Sequence, residues 1–119
     1  MSQEDQNKKI EIHPLPVLTD NIIWIWVIKN LAIVVDPSIA LPVKDWLDHR
    51  RLKLLAILQT HHHEDHIGGT KELLRQWPKA EVIASKADLQ RIPFQTISVT
   101  DQDKLIINSF CITVLDIPG

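Results

Sequence analysis

The strongest pattern in the chain is a pair of β-branched, tryptophan-bearing runs, residues 22–28 and 31–35, separated by the polar step Lys29-Asn30. Such runs favour extended backbone, and a two-residue polar break between them predicts an antiparallel hairpin of two largely buried strands. After Asp36-Pro37, Pro42 stands where a helix can begin, and Val43, Trp46, Leu47 and Arg50 recur at helical spacing through about residue 51. Residues 54–58 form a compact apolar run closing on Gln-Thr, which predicts a buried strand whose C-terminal end delivers the chain into the next segment. Ile67, Thr70, Leu74 and Trp77 then mark a second helical face, with Leu73 beside it, and Pro78 stops that helix. Residues 81–85 read as another buried strand and residues 86–91 as a helical turn before Pro93. Residues 96–99 and 105–115 alternate well enough to give two final strands.

The order ββαβαβ(α)ββ predicts an α/β domain, a mixed sheet with flanking helices, over residues 1–119. The first ten residues mix acids, amides and lysines ahead of any apolar run, so they read as a short tail and not as a secretory or transit peptide. The last strand runs apolar to Gly119 with no closing helix or polar tail, so the domain is expected to be C-terminally truncated.

Composition narrows the function classes. With 119 residues, 45% hydrophobic and 24% charged, the chain has globular composition, which excludes a disordered or collagen-like polymer. The net charge is −2 and no stretch gathers basic residues with aromatics, which argues against a nucleic-acid partner. The most apolar region, residues 22–35, is broken by Lys29-Asn30 and falls short of the ~20 residues of a membrane helix, so no membrane span is expected. The single cysteine, Cys111, permits no internal disulfide and fits no CxxC pattern, which makes the cytoplasm the expected compartment. Cys111 itself reads as a small core residue, as do Trp24, Trp26, Trp46 and Trp77 as larger ones. His13 and His49 read as structural, His49 at a helix end.

The chemistry concentrates in ten residues. Of the six histidines, His61, His62, His63 and His66 lie in THHHEDHIGG, residues 60–69, which also holds Gly68 and Gly69, two of the three glycines. Imidazole and carboxylate together suit zinc, iron or manganese. On extended chain, residues two apart project to the same side, so His61 and His63 can grip one ion while His62 points away. As the backbone turns into the next helix, Asp65 and His66 become adjacent donors on a changed direction, able to reach a second ion. A solvated polar loop is the plain alternative. The helical zinc-protease motif His-Glu-x-x-His is absent. Glycines inside a helical pattern cost roughly 1 kcal/mol each relative to alanine and are tolerated where backbone must pack closely, here against a metal layer. Asp36, after a buried strand and before proline, either forms an Asx-type turn or orients a metal-bound imidazole from behind.

THHHEDHIGG resembles the T-H-x-H-x-D-H signature of the metallo-β-lactamase superfamily, and its H-H-H-x-D-H-x-G-G form is similar to that of the glyoxalase II (hydroxyacylglutathione hydrolase) type. Asp20-Asn21-Ile22-Ile23-Trp24 resembles the family's D-N-Y-x-W, Val35-Asp36-Pro37 its V-D-P-G, and Ile117-Pro118-Gly119 the start of its T-P-G-H-T. Ile22 stands for the usual Tyr, Ser38 for Gly and Ile117 for Thr. The resemblance implies the N-terminal half of an αββα sandwich with two divalent metal ions, zinc first and iron or manganese as alternatives. It places His61 and His63 on one metal and Asp65 and His66 on the other, and the remaining ligands and glutathione contacts beyond residue 119. It further implies hydrolysis of a glutathione thioester, with Asp65 orienting water and accepting its proton. His63 stands where oxygen-reducing diiron members carry Glu. An iron-dependent persulfide dioxygenase and an inactive metal-binding fragment are the alternative readings.

Overall fold

Pairing begins ahead of the predicted hairpin. The structure, a computed structural model, describes residues 10–17, 21–60, 69–90 and 92–100, and the backbone of residues 104–107 and 110–113. Strands β1 (Ile10–Val17), β2 (Asn21–Ile28) and β3 (Leu31–Val35) pair antiparallel in chain order, and Lys29 takes a φ of 56° in the β2–β3 turn. β1 carries Pro14 and Pro16 opposite Trp24 and Ile22. Two prolines hide a strand from a pattern search, because proline is confined to strand edges and first positions. β1 is indeed the sheet's border strand. The expected tail therefore gives way to strand at Ile10, and residues 1–9 lie outside the described residues.

From β3 onward the sheet is parallel. β4 (Lys53–Gln59), β5 (Glu81–Ser85) and β6 (Ile97–Val99) follow in spatial order, so one mixed six-stranded sheet runs β1-β2-β3-β4-β5-β6. Helix α1 (Leu41–His49) crosses from β3 to β4, and α2 (Thr70–Gln76) lies between β4 and β5. Pro42 stands in the first turn of α1, where its missing N–H costs nothing. The helix ends in a Schellman motif: Leu52 N–H donates to Leu47 O at 2.9 Å and Arg51 N–H to Asp48 O at 3.1 Å, with Arg51 at a φ of 56°. His49 sits in its last turn. A single 3-10 turn, Lys86–Asp88, replaces the longer helical turn expected before Pro93.

The main core lies between the helices and one sheet face, where Ile23, Ile25, Ala32, Val34, Leu54 and Ile57 meet Val43, Leu47 and Leu73. Leu73, not Leu74, is the fully buried leucine of α2. The opposite face carries Ile28, Ile33, Ala56, Ile83 and Val99, with Trp26 partly buried beside them. Trp24 belongs to that second face and is 42% exposed, which corrects its reading as core. His13 packs at a tilt against Trp46, ring centroids 5.1 Å apart, and Arg50 covers Trp46 at 3.8 Å.

β4 changes parity part-way. Ala32 pairs with Leu54, but the next residue, Ile33, pairs with Ala56, leaving Leu55 as the extra residue of a bulge. Leu54 and Ile57, three apart, consequently face the same helical side, and so does Gln59. The final expected strand is in fact two. β7 (Lys104–Ile107) and β8 (Phe110–Thr113) pair antiparallel as a separate hairpin, separated by Asn108-Ser109, a polar step inside an otherwise apolar run. Cys111 is on β8, and its side chain lies outside the described residues.

Candidate metal centre

The parallel strands deliver their C-terminal ends to one border of the sheet, where open α/β sheets place their ligands. β4 ends at Gln59, so the histidine-rich segment does begin at a strand end, as the sequence pattern requires. His61, His63, Asp65 and His66 themselves lie outside the described residues, and so do Gly68 and Ile67. The two anchors that bracket them, Thr60 and Gly69, are described, and so is Asp36.

Asp36 holds the entry. Its own N–H donates to Leu58 O at 2.9 Å, a regular rung between β3 and β4. In a parallel ladder the next rung would run from Thr60 N–H to the Asp36 carbonyl. Asp36 instead has a φ of 50°, outside strand geometry, and its carboxylate accepts from that donor: Thr60 N–H donates to Oδ1 at 2.7 Å. The Thr60 hydroxyl donates to Oδ2, and Gln59 Nε2 reaches Oδ1 at 3.3 Å. Aspartate is among the few residues that tolerate a left-handed backbone, so residue type, backbone and hydrogen bonding agree here.

The exit is held from the same connection. Gly69 N–H donates to Pro37 O at 2.8 Å, immediately before Thr70 opens α2. A Cβ on Gly69 would lie 2.6 Å from the Ile39 carbonyl carbon and 2.8 Å from Ala40 N. The expected close approach at the glycine pair is therefore present at Gly69, with the backbone of residues 37–40 as its neighbour instead of a metal layer. Ser38, within that loop, is 5% exposed, and its hydroxyl has no hydrogen-bond partner among the described residues.

A buried pair completes the arrangement. Thr70 Oγ1 donates to Gln59 Oε1 at 2.5 Å, with Thr70 0% and Gln59 5% exposed. The sequence pattern places Thr60 at the head of the signature, Thr70 on a helical face and Gln59 in a polar step closing an apolar run, but assigns none of the three a role at the site.

The candidate donor set bracketed by Thr60 and Gly69 fits divalent metal: the imidazoles of His61, His63 and His66 and the Asp65 carboxylate, each a good ligand for zinc or its neighbours, within seven residues of a fixed strand end. The metallo-beta-lactamase superfamily model matches residues 15–114. The chain belongs to that superfamily. It is 59% identical over 112 residues to a hydroxyacylglutathione hydrolase of Prochlorococcus marinus strain MIT 9303, covering 94% of this chain and 43% of that protein. It is 54% identical over 119 residues to the hydroxyacylglutathione hydrolase of strain MIT 9211, covering all of this chain and 46% of that protein. The chain thus spans less than half the length of these superfamily relatives. Among solved structures, the BLEG-1 B3 metallo-beta-lactamase superposes with a TM-score of 0.80 over 92% of this chain and 62% of its own, at 21% identity, a likeness of fold.

Proposed function

We propose that the protein containing this chain is a glyoxalase II, hydrolysing the thioester of an S-(2-hydroxyacyl)glutathione to glutathione and a 2-hydroxy acid in the cytoplasm. The observation that carries this reading is identity of 54–59% with hydroxyacylglutathione hydrolases along almost the whole chain. On this reading residues 1–119 form the N-terminal part of one metallo-β-lactamase domain. His61 and His63 hold one divalent metal, and Asp65 and His66 hold a second. Zinc is the proposed metal. When bound, such a pair supplies Lewis acidity for the thioester carbonyl and lowers the pKa of water towards neutrality.

The chain's own residues supply orientation and proton handling. The Asp65 carboxylate orients the attacking water and accepts its proton. The departing glutathione thiolate is a stable leaving group that needs little acid assistance, so no serine or cysteine nucleophile is required. Asp36 acts from behind the ligands: by fixing Thr60 it fixes the point from which His61 departs. Support for that role comes from the bracket described above, which grips the segment at both ends through the single connection of residues 36–40.

The deciding experiment is turnover of S-lactoylglutathione with metal analysis, comparing residues 1–119 with the product of the full reading frame. Activity and two metals in the longer protein establish the reading. Inactivity there, with oxygen uptake on glutathione persulfide and one iron per chain, would replace it with the dioxygenase.

A further inference from the structure

Gln59 occupies an unusual position for a long polar side chain. It is 5% exposed at the end of β4, and both ends of its amide are engaged: Nε2 donates to Asp36 Oδ1 at 3.3 Å and Oε1 accepts from Thr70 Oγ1 at 2.5 Å. An ionised carboxylate only accepts, so the orientation of the amide is chemically fixed, nitrogen towards Asp36 and oxygen towards Thr70. The Leu55 bulge is what aims it. Without the extra residue, the alternation that puts Leu54 on the helical side would put Gln59 on the opposite face, away from Thr70.

The bonds form a continuous line from Thr70 through Gln59 to Asp36 and on to Thr60. Thr60 immediately precedes the histidine-rich segment, and Thr70 follows Gly69, which closes it. We infer that Gln59 is a positioning residue that locks the two ends of the metal-binding segment to each other, so that metal affinity depends on a side chain that is not a ligand. This rests on the metal reading of residues 61–66. The Thr70–Gln59 end of the line is buried, where loss of one partner leaves the other unsatisfied, while Asp36 is half-buried and Thr60 exposed.

The test uses the product of the full reading frame, prepared metal-free, with Q59L, T70V and T70S variants. Two quantities are read: the Kd for cobalt(II) by competition with a chelator, and amide hydrogen exchange at Thr60. Q59L and T70V are each expected to weaken cobalt binding by about tenfold, the lower end of the range for residues behind a ligand. Both should speed exchange at Thr60. The double variant should be no worse than either single one, the mark of a shared line. T70S, which keeps the hydroxyl, should restore both quantities to the unsubstituted values. Unchanged affinity and exchange in Q59L and T70V would overturn the assignment while leaving the metal reading intact. Failure of the unsubstituted protein to bind cobalt, zinc or iron would overturn the metal reading first and this one with it.

Discussion

The amide nitrogen of Gly69 lies 2.8 Å from the carbonyl oxygen of Pro37, and the space between their two segments admits no side chain. A methyl group on Gly69 would meet only backbone: Ile39 C at 2.6 Å, Ala40 N at 2.8 Å and Pro37 O at 2.8 Å. None of these atoms can swing aside as a side-chain end would. Gly69→Ala is therefore expected to destabilise the fold by about 1–3 kcal/mol, the usual range for overpacking. A urea titration measures it, and an unchanged midpoint would contradict the contact.

Asp36 offers a separation of backbone from side-chain effects. Asp36→Ala removes the acceptor of Thr60 N–H, the Thr60 hydroxyl and Gln59 Nε2, and leaves a left-handed backbone at a residue with no polar group to favour it. The expected loss is about 2–4 kcal/mol, built from lost hydrogen bonds to a carboxylate and the φ cost. Asp36→Asn keeps one acceptor oxygen and a residue type tolerant of φ 50°, so it should lose less than half as much. Equal losses in thermal unfolding would mean that charge, not hydrogen-bond geometry, is what matters here.

Two leucines of the same helix should behave oppositely. Leu47 is fully buried against the sheet, and its replacement by alanine is expected to cost about 2–5 kcal/mol. Leu41 is 67% exposed, and the same change should stay within about 0.5 kcal/mol. Denaturant midpoints of the two variants check which face of α1 packs.

Ser38 stands where the family pattern has glycine, buried and with its hydroxyl unpaired among the described residues. Ser38→Ala relieves a desolvated hydroxyl at almost constant shape, so stability should stay level or rise by up to about 1 kcal/mol. A fall of that size in the melting transition would reveal a partner for the hydroxyl.

Asp65→Ala, in the product of the full reading frame, should reduce thioester turnover and second-metal occupancy together, with turnover down by at least about 100-fold if the carboxylate handles a proton. Full activity with both metals retained would remove Asp65 from the mechanism.

Much of this fold is written in local pattern. The β2–β3 hairpin announces itself through β-branched runs around Lys29-Asn30, and α1 through the spacing of Val43 and Leu47. Strand β4 is legible as a strand, but its bulge is not, because an uninterrupted apolar run carries no mark of which face each residue takes. That hidden parity change decides where Gln59 goes, and so the line to Thr70 could not be read from the sequence. The donor cluster is legible for the opposite reason: its chemistry is carried by residue type and spacing within one short segment. What holds the two ends of that segment, the Asp36 carboxylate and the Pro37 carbonyl, lies 24 and 32 positions earlier in the chain, brought there by the parallel β3–β4 pairing and the connection that follows β3.

Pro14 and Pro16 have the same parity in β1, so their missing N–H donors fall on the same long edge of that strand, and the pairing with β2 runs through both positions. The outward border of the sheet is thereby stripped of donors at alternate positions. A second polypeptide laid along residues 14–16 would find carbonyls there without the donors that normally accompany them. Growth of the sheet by strand addition is disfavoured on this side, which guards an exposed apolar neighbourhood that includes Ile12, Ile22 and Trp24 against templating fibrils.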